Sequence, residues 1–420
     1  MTQTIAIEID TRPSTYLSSR EFTGHLLDRQ LHRPLFREDA LSLVPDLLSV
    51  HDKIDDRAWV FRLADDATWG TGDPVTADDV AKRLFRIAQQ PRGSWIAALI
   101  KRCDVLDGRT LKVTTRQRIA ILDRALANPT LAPRRRKHSS GAYALSWVRE
   151  NRATLVPRDG NSDVIELVTT SSRAEGRRRF LSGTLDIGWG IGVPPKFWDQ
   201  DDPGPFLATP GLDMFVILAA GPGVPQEAAN RILDSIGLDR NAPAGIEPTV
   251  SRFSSYPFTP GKNAEKSTLP AGRWPLFYTE FPPNRETAVQ LARASDKRLV
   301  PTPVSYSTML AGPPKAGFSL QIHATQFPDT LGLQVESLLI ARGSIPAPDA
   351  LKEVASSLWE MESDTARREC ARAAEISLDQ TLRRRVIGRL RPRFRSRSPI
   401  NMPRSGWFDF KQLTKGNCST

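Results

Sequence analysis

"WVFRLADDATWGTGDPVTADDVAKRLFRI", residues 59–87, carries three patterns in succession. Trp59, Phe61 and Leu63 alternate with Val60 and Arg62, the period of a strand with one buried face. "DDATWGTGDP" then breaks the alternation with Gly70, Gly72 and Pro74, residues that suit tight turns. Thr76 is a good N-cap, and Asp78 and Asp79 place negative charge in the first turn, where it complements the helix dipole. Val80, Leu84 and Ile87 recur at helical spacing. The stretch reads as strand, tight loop and capped helix, and it contains no nucleophile and no set of metal ligands.

The same patterns continue outward. "TIAIEI" alternates with Ile5, Ile7 and Ile9 on one face of an N-terminal strand, and "FTGHLLDRQLHRPLF" reads as a helix stopped near Pro34. "CDVLDGRTLKVTT" reads as two strands around the Asp107-Gly108 turn. Beyond Pro203 come a buried strand, "LDMFVILAAG", and a helix, "QEAANRILDSIGL". "WPLFYTEF", "NRETAVQLARAS" and "KRLVPTPVS" read as β-α-β, and "GFSLQIHATQFPD" as a strand running into a polar loop. "DDPGPFLATPG" marks a change of texture near residue 205. No internal repeat is visible.

The chain has 420 residues, 40% of them hydrophobic, with a net charge of +11. Such a length suits about two or three domains of ~100–200 residues. The positive balance favours anionic partners in general without choosing among them. Arg134 to Lys137, Arg177 to Arg179 and the run from Arg383 to Arg397 read either as a solvated face or as a surface for an anionic partner. Three cysteines lie far apart, with no CxxC or Cys/His cluster, so neither a zinc site nor a disulfide framework is indicated. No cofactor-binding pattern appears, and none is expected. No run of about 18 apolar residues exists, so membrane insertion is not expected. "MTQTIAIEID" has no basic n-region or apolar core. The expectation is a cytoplasmic chain, or an extracellular one if a leader has been trimmed.

The opening stretch resembles a segment of the extracellular solute-binding proteins of the oligopeptide, dipeptide and nickel importer family (family 5). That family shows an aromatic-Phe-x-Leu strand, a Trp-x-x-Gly loop and Pro-x-Thr-Ala-x-Asp-Val. Here these are Trp59, Phe61, Leu63, Trp69, Gly72, Pro74, Thr76, Ala77, Asp79 and Val80. "SSGAYAL" stands where the family has Gly-Thr-Gly-Pro-Tyr, with Gly141 and Tyr143 matching. "FLSGTLDI" resembles Leu-x-x-Gly-x-x-Asp-Ile, and "QFPDT" the aromatic-x-Asp-Pro loop. "GWFDFKQL" is similar to the close of the solute-binding half of bacterial regulators of sugar-phosphate stress.

The resemblance implies an α/β, two-lobed periplasmic-binding-protein-like fold (cluster C, type II) with a ligand cleft between the lobes. The first lobe would hold residues 1–205 and 381–420, the second 206–380. Three residues would face the ligand: Tyr16, Trp189 and Asp329. In peptide-binding members an acidic residue near Asp329 pairs with the ligand's α-amino group; alternatively Asp329 caps the helix that follows. Trp189 either lines the cleft or packs in the core. Asp186 suits structural hydrogen bonds, and His323, sharing a strand and loop with Asp329, suits a structural role better than acid–base work. The expected function is binding of a small organic ligand, peptide-like or amino-containing, by a monomer, with an ABC permease as partner if the chain is exported. An enzyme on the same scaffold and an effector domain of a regulator are the alternatives. No catalytic residue is named, and nucleic acid is not the expected partner.

Overall fold

The computed structural model describes residues 3–9, 22–39, 42–89, 99–135, 138–149, 151–189, 206–208, 214–238, 246–251, 270–280, 283–305, 308–309, 315–323, 357–363, 365–367, 369–370, 383–390, 393–403 and 406–413. In chain order the first half holds β1 (Thr4–Ile9), α1 (Phe22–Leu31), β2 (Phe36–Asp39), β3 (Ser42–Pro45), β4 (Leu48–Asp55), β5 (Ala58–Leu63), α2 (Ala77–Ala88), β6 (Ile100–Val105), β7 (Thr110–Thr115), α3 (Leu122–Leu126), β8 (Tyr143–Val148), β9 (Arg152–Pro157), β10 (Val164–Thr169), α4 (Arg173–Leu181) and β11 (Ile187–Trp189). The second half holds β12 (Phe206–Ala208), β13 (Met214–Ala220), α5 (Gln226–Ser235), β14 (Ile246–Ser251), β15 (Trp274–Tyr278), α6 (Asn284–Ala294), β16 (Leu299–Pro303), β17 (Phe318–His323), β18 (Arg384–Leu390) and β19 (Phe394–Ser396).

Among the described residues these strands form two large sheets, a smaller one and a two-stranded ribbon. The first large sheet runs β12-β19-β11-β1-β10-β9-β8, and the second β14-β18-β13-β17-β15-β16. β15, α6 and β16 form the expected β-α-β unit, with β15 and β16 parallel. β13 is buried along its whole length, as its unbroken apolar run requires. The crossings between the two sheets are short. One follows β12, and the other lies between Leu390 of β18 and Phe394 of β19. The sequence reading put everything after residue 380 with the first sheet. The pairing instead keeps β18 in the second sheet, between β13 and β14, and β19 is the strand that returns to the first.

The stretch at 59–87 does not join either large sheet. β5 is a central strand of the four-stranded sheet β4-β5-β7-β6. Phe61, Leu63, Trp69, Val75, Val80 and Leu84 are buried in one cluster beneath α2. Each such side chain contributes about 1.5–3 kcal/mol by leaving water. Gly72 closes the loop with a φ of 89°, and its N–H donates to the Trp69 carbonyl at 2.9 Å. Thr76 caps α2 in a full capping box with Asp79. Leu358 and Trp359, placed by the sequence reading in the second lobe, are buried in this same cluster. The Ala120 N–H donates to the Trp359 carbonyl at 2.9 Å, and Arg118 pairs with Glu362 at 2.5 Å.

One loop ties this unit to the first large sheet. Ser140 and Gly141 both donate backbone N–H groups to the Leu31 carbonyl at the end of α1, at 3.1 and 2.9 Å. Gly70 donates to the Ser139 carbonyl at 2.8 Å, and Arg158 bridges the carbonyls of Trp69 and Gly141 at 2.9 and 3.2 Å. A Cβ on Gly141 would collide with the Gln30 carbonyl and lie 2.6 Å from the His32 nitrogen. That close approach is the physical reason for a glycine in "SSGAYAL". Tyr143, the other residue that matches the family pattern there, is fully buried against Phe410.

Two stability predictions follow from this joint and from the helix cap. Thr76→Ala should cost about 1 kcal/mol in urea denaturation, and Gly141→Ala about 2–3 kcal/mol through backbone displacement. His32 lies in the same joint. Burial, then the guanidinium charges of Arg134 and Arg83, hold it well below its ordinary value of 6.5. Its folded form is the neutral ring, whereas the unfolded imidazole takes up a proton below about pH 6.5. The contribution is therefore complete above that pH and is lost as pH falls towards the folded value. Urea midpoints measured between pH 7.5 and 5 should decline for the native chain, and less steeply for His32→Gln.

Candidate functional site

The pairing register draws one row across the first sheet. Ile9 stands opposite Thr169, and Ile7 opposite Ile187 in parallel strands, which puts Trp189 level with Ile9. Trp189 pairs in turn with Phe394, and Phe394 with Ala208. This row is the carboxyl end of the three parallel strands β10, β1 and β11. β1 lies between β10 and β11, whose connection runs through α4. Carboxyl ends at such a change of strand order are where open α/β sheets leave a crevice.

Both crossings start from this row. From Phe394 back to Leu390 the chain can span at most about 14 Å, and Leu390 pairs with Met214 at the start of β13. The next residue, Phe215, stands opposite His323, the last residue of β17. The carboxyl ends of β11 and β17 therefore flank the same junction between the sheets. Tyr16 follows β1 and Asp329 follows β17, but both lie outside the described residues, as does the side chain of Trp189. The pairing of His323 belongs to its backbone; its side chain is likewise outside the described part.

β11 is held in place by "FLSGTLDI". Gly183, with a φ of 79°, ends α4, and the Thr184 N–H returns to the Arg179 carbonyl at 2.9 Å. Asp186 accepts the Ala6 N–H on its carboxylate at 2.8 Å, and its own N–H donates to the Ala6 carbonyl at 2.8 Å. It thus splices β11 onto β1, which is the structural role its position suggested.

Glu8 is a residue the sequence reasoning passed over. Alternation put it opposite the Ile5–Ile7–Ile9 face, where a strand often meets water, yet it is buried. Thr170 donates its hydroxyl to the Glu8 carboxylate at 2.5 Å, and Gly176 of α4 leaves the room it occupies, since a Cβ there would run into the carboxylate. Glu8 pairs with Val168, one residue before the row of strand ends.

None of the described arginines between Arg383 and Arg397 is exposed, so they form neither a solvated face nor an open surface for an anionic partner. Arg383 donates to the Gly221 carbonyl at 2.7 Å and to that of Val224, and Arg385 to the Leu233 carbonyl near the end of α5. Arg389 pairs with Glu247 at 2.5 Å. Arg397 reaches the carbonyls of Phe180 and Leu181 at the end of α4 and of Leu185 ahead of β11, and lies over the Phe180 ring at 5.2 Å. Cations on helix C-terminal carbonyls satisfy orphan acceptors and oppose the helix dipole. Arg134 and Arg135 are likewise paired, with Asp28 and Asp73. Among the described residues no group of three or more His, Cys, Asp or Glu side chains is placed to hold a metal ion. No described helix is long and apolar enough to cross a membrane.

Residues 42–159 match the model of bacterial extracellular solute-binding proteins, family 5 Middle. That span contains the whole of the four-stranded sheet and the loop that ties it to β8. Comparison with curated protein sequences gives no match. Among solved structures, an oligopeptide-binding protein of Borrelia burgdorferi (OppAIV) superposes with a TM-score of 0.80 at 15% identity, covering 98% of this chain and 99% of that one. NikA of Staphylococcus aureus, solved in complex with Ni(L-His)2, gives 0.76 at 14% identity, covering 97% and 98%. The murein tripeptide binding protein MppA of Escherichia coli gives 0.76 at 18% identity, covering 93% and 94%. The same protein in an unliganded open form gives 0.62 at 17% identity, covering 98% and 96%. The chain thus has the two-lobed α/β fold of the periplasmic-binding-protein class, and its residues 42–159 are similar to the family 5 middle segment.

The joint around β11 generates a stability prediction. Asp186→Ala leaves the Ala6 N–H unpaired in the sheet and should cost about 1–3 kcal/mol. Arg397→Ala uncovers the end of α4 and should cost a similar amount. Because both act on the splice between α4, β11 and β1, their effects should be non-additive in a double-mutant cycle followed by urea denaturation.

Proposed function

We propose that this chain is a non-catalytic solute-binding protein that takes a small organic ligand, peptide-like or amino-containing, in a cleft where the two sheets meet. The observation that carries the reading is topological. Trp189 ends β11, Tyr16 follows β1 and Asp329 follows β17, and all three strands end beside the two crossings. The match of residues 42–159 to the family model supports it. In this reading Asp329 is the cation anchor, a carboxylate that gains strength from a water-poor surrounding, and Trp189 and Tyr16 are the aromatic walls.

Hinge closure about the crossings is part of the same proposal. Its support is the fall in TM-score from 0.76 to 0.62 between two structures of one relative, the second described as unliganded and open. The lobes in this reading are residues 1–208 with the tail from β19 onward, and residues from the start of β13 to the end of β18, apart from the segment around Leu358 and Trp359 that packs on the four-stranded unit. Closure is driven by ligand that binds the closed arrangement better than the open one. The partner of such a protein, if exported, is an ABC permease, and the binding unit is the monomer.

A thermal-shift panel of amino acids and of two- to five-residue peptides tests the reading. A true ligand at 100 times its Kd should stabilise the fold by about 2.7 kcal/mol. Asp329→Asn and Trp189→Ala should each weaken that ligand about tenfold, and acetylating its α-amino group should cost as much as Asp329→Asn. Stabilisation by no member of the panel, or stabilisation indifferent to both substitutions, would overturn it.

A further inference from the structure

The four-stranded sheet has an edge of unusual chemistry. Among the described residues β6 is its last strand, bonded to β7 on one side only. Edge strands present alternate N–H and C=O groups outward and are templates for another strand. Natural edges are blunted by proline, a covering helix or charged side chains, and β6 reads Ile-Lys-Arg-Cys-Asp-Val. Lys101 and Arg102 are its blunting charges, and both lie beside a slot.

The slot lies between β6 and the flank of α2. Its volume is about 300 Å3, and Leu84, Phe85, Ala81 and Cys103 contribute its apolar lining. That volume falls at the lower end of the range for small-molecule pockets and admits one or two side chains. Phe85 is 67% exposed, although it sits on a helix whose Val80, Leu84 and Ile87 are buried. Val105, on the same face of β6 as Cys103, is 45% exposed. Burial pushes the Cys103 thiol up to about 12, so the group is neutral and acts as floor. Lys82, Lys101 and Arg102 line the same slot. Lys82 is paired with Asp78, and Arg102 with Asp104, at 2.5 and 2.7 Å. Among the described residues, three cations line the opening, and two carboxylates, Asp78 and Asp104, pair with two of them.

We propose that the β6 edge and the α2 slot together form a docking site for an extended acidic peptide segment, distinct from the interlobe cleft. The segment adds to the sheet beside β6 through main-chain hydrogen bonds, the mode in which backbone supplies affinity and pockets for alternate side chains supply selectivity. An apolar side chain of the segment enters beside Phe85 and Cys103. Acidic residues on either side of it meet Lys101, Lys82 and Arg102. The charge of the rim is what selects an acidic strand over a neutral or basic one.

The test is fluorescence polarisation with a fluorescein-labelled peptide, Asp-Leu-Glu-Phe-Asp-Val, against the full chain. Saturable binding is expected, weakening as sodium chloride is raised. The basic counterpart, Lys-Leu-Lys-Phe-Lys-Val, should bind at least tenfold more weakly. Phe85→Asp should weaken the acidic peptide at least tenfold, and Lys101→Glu about threefold; both residues are exposed, so the fold is retained. The same peptide N-methylated at alternate residues should lose binding, and hydrogen exchange should slow along β6 when the unmodified peptide is present. A peptide held in the interlobe cleft would keep its affinity in Phe85→Asp and Lys101→Glu, and that result overturns the proposal. So do absence of saturable binding and equal binding by the N-methylated peptide, the latter pointing to a slot for apolar small molecules instead.

Discussion

Three residues, Phe394–Ser396, hold the two halves of this molecule in relation. β19 pairs with β11 on one side and β12 on the other, so the first sheet closes around the chain as it returns from the second. A strand this short has few ladder bonds of its own. Phe394 is fully buried and meets the Phe408 ring at 5.5 Å. The Arg397 N–H donates to the Asp186 carbonyl at 3.0 Å, next to the splice of β11 onto β1. The row of strand ends, the crossings and the ends of β11 and β17 take their positions from this one pairing.

Arginine does much of the internal fastening. Burying a guanidinium is costly unless its donors are met, and terminal donors of Arg383, Arg385, Arg397 and Arg158 are met by carbonyls at loop and helix ends. Arg383 and Arg385 hold α5 against β18, Arg397 holds α4 against β19, and Arg158 holds the Trp69 loop against Gly141. A planar fork of donors suits this role because it can reach several carbonyls at once while its stem packs on apolar surface. The positive balance of the chain is therefore used in part on its own backbone.

Much of the local structure was legible. The capping box at Thr76 and Asp79, the Asp107-Gly108 hairpin, the buried run of β13 and the β15-α6-β16 unit depend on residues close in sequence, and periodicity reports them directly. The separate four-stranded unit was not legible, because nothing in the alternation of β5 says which sheet it will join. The burial of Glu8 was hidden for a related reason: alternation gives two faces, and only the packing of α4 shows that the second is covered. Of the candidate site, the ends of β11 and β17 could be placed beside one junction by register, while the family resemblance alone had chosen Trp189, Tyr16 and Asp329.

By itself the sequence determined many of the elements, several of their caps and turns, and the resemblance that pointed to two lobes. These are short-range matters of side-chain period, φ preference and local hydrogen bonding. The tertiary structure alone decided that β18 stays with the second sheet, that Trp359 is buried in the core of the four-stranded unit, and that Arg383, Arg385, Arg389 and Arg397 fasten backbone carbonyls and Glu247 instead of lying free on the surface. Each of these depends on which distant backbone groups are left without partners once the elements form. Pairing across hundreds of residues leaves no periodic trace in the chain that makes it.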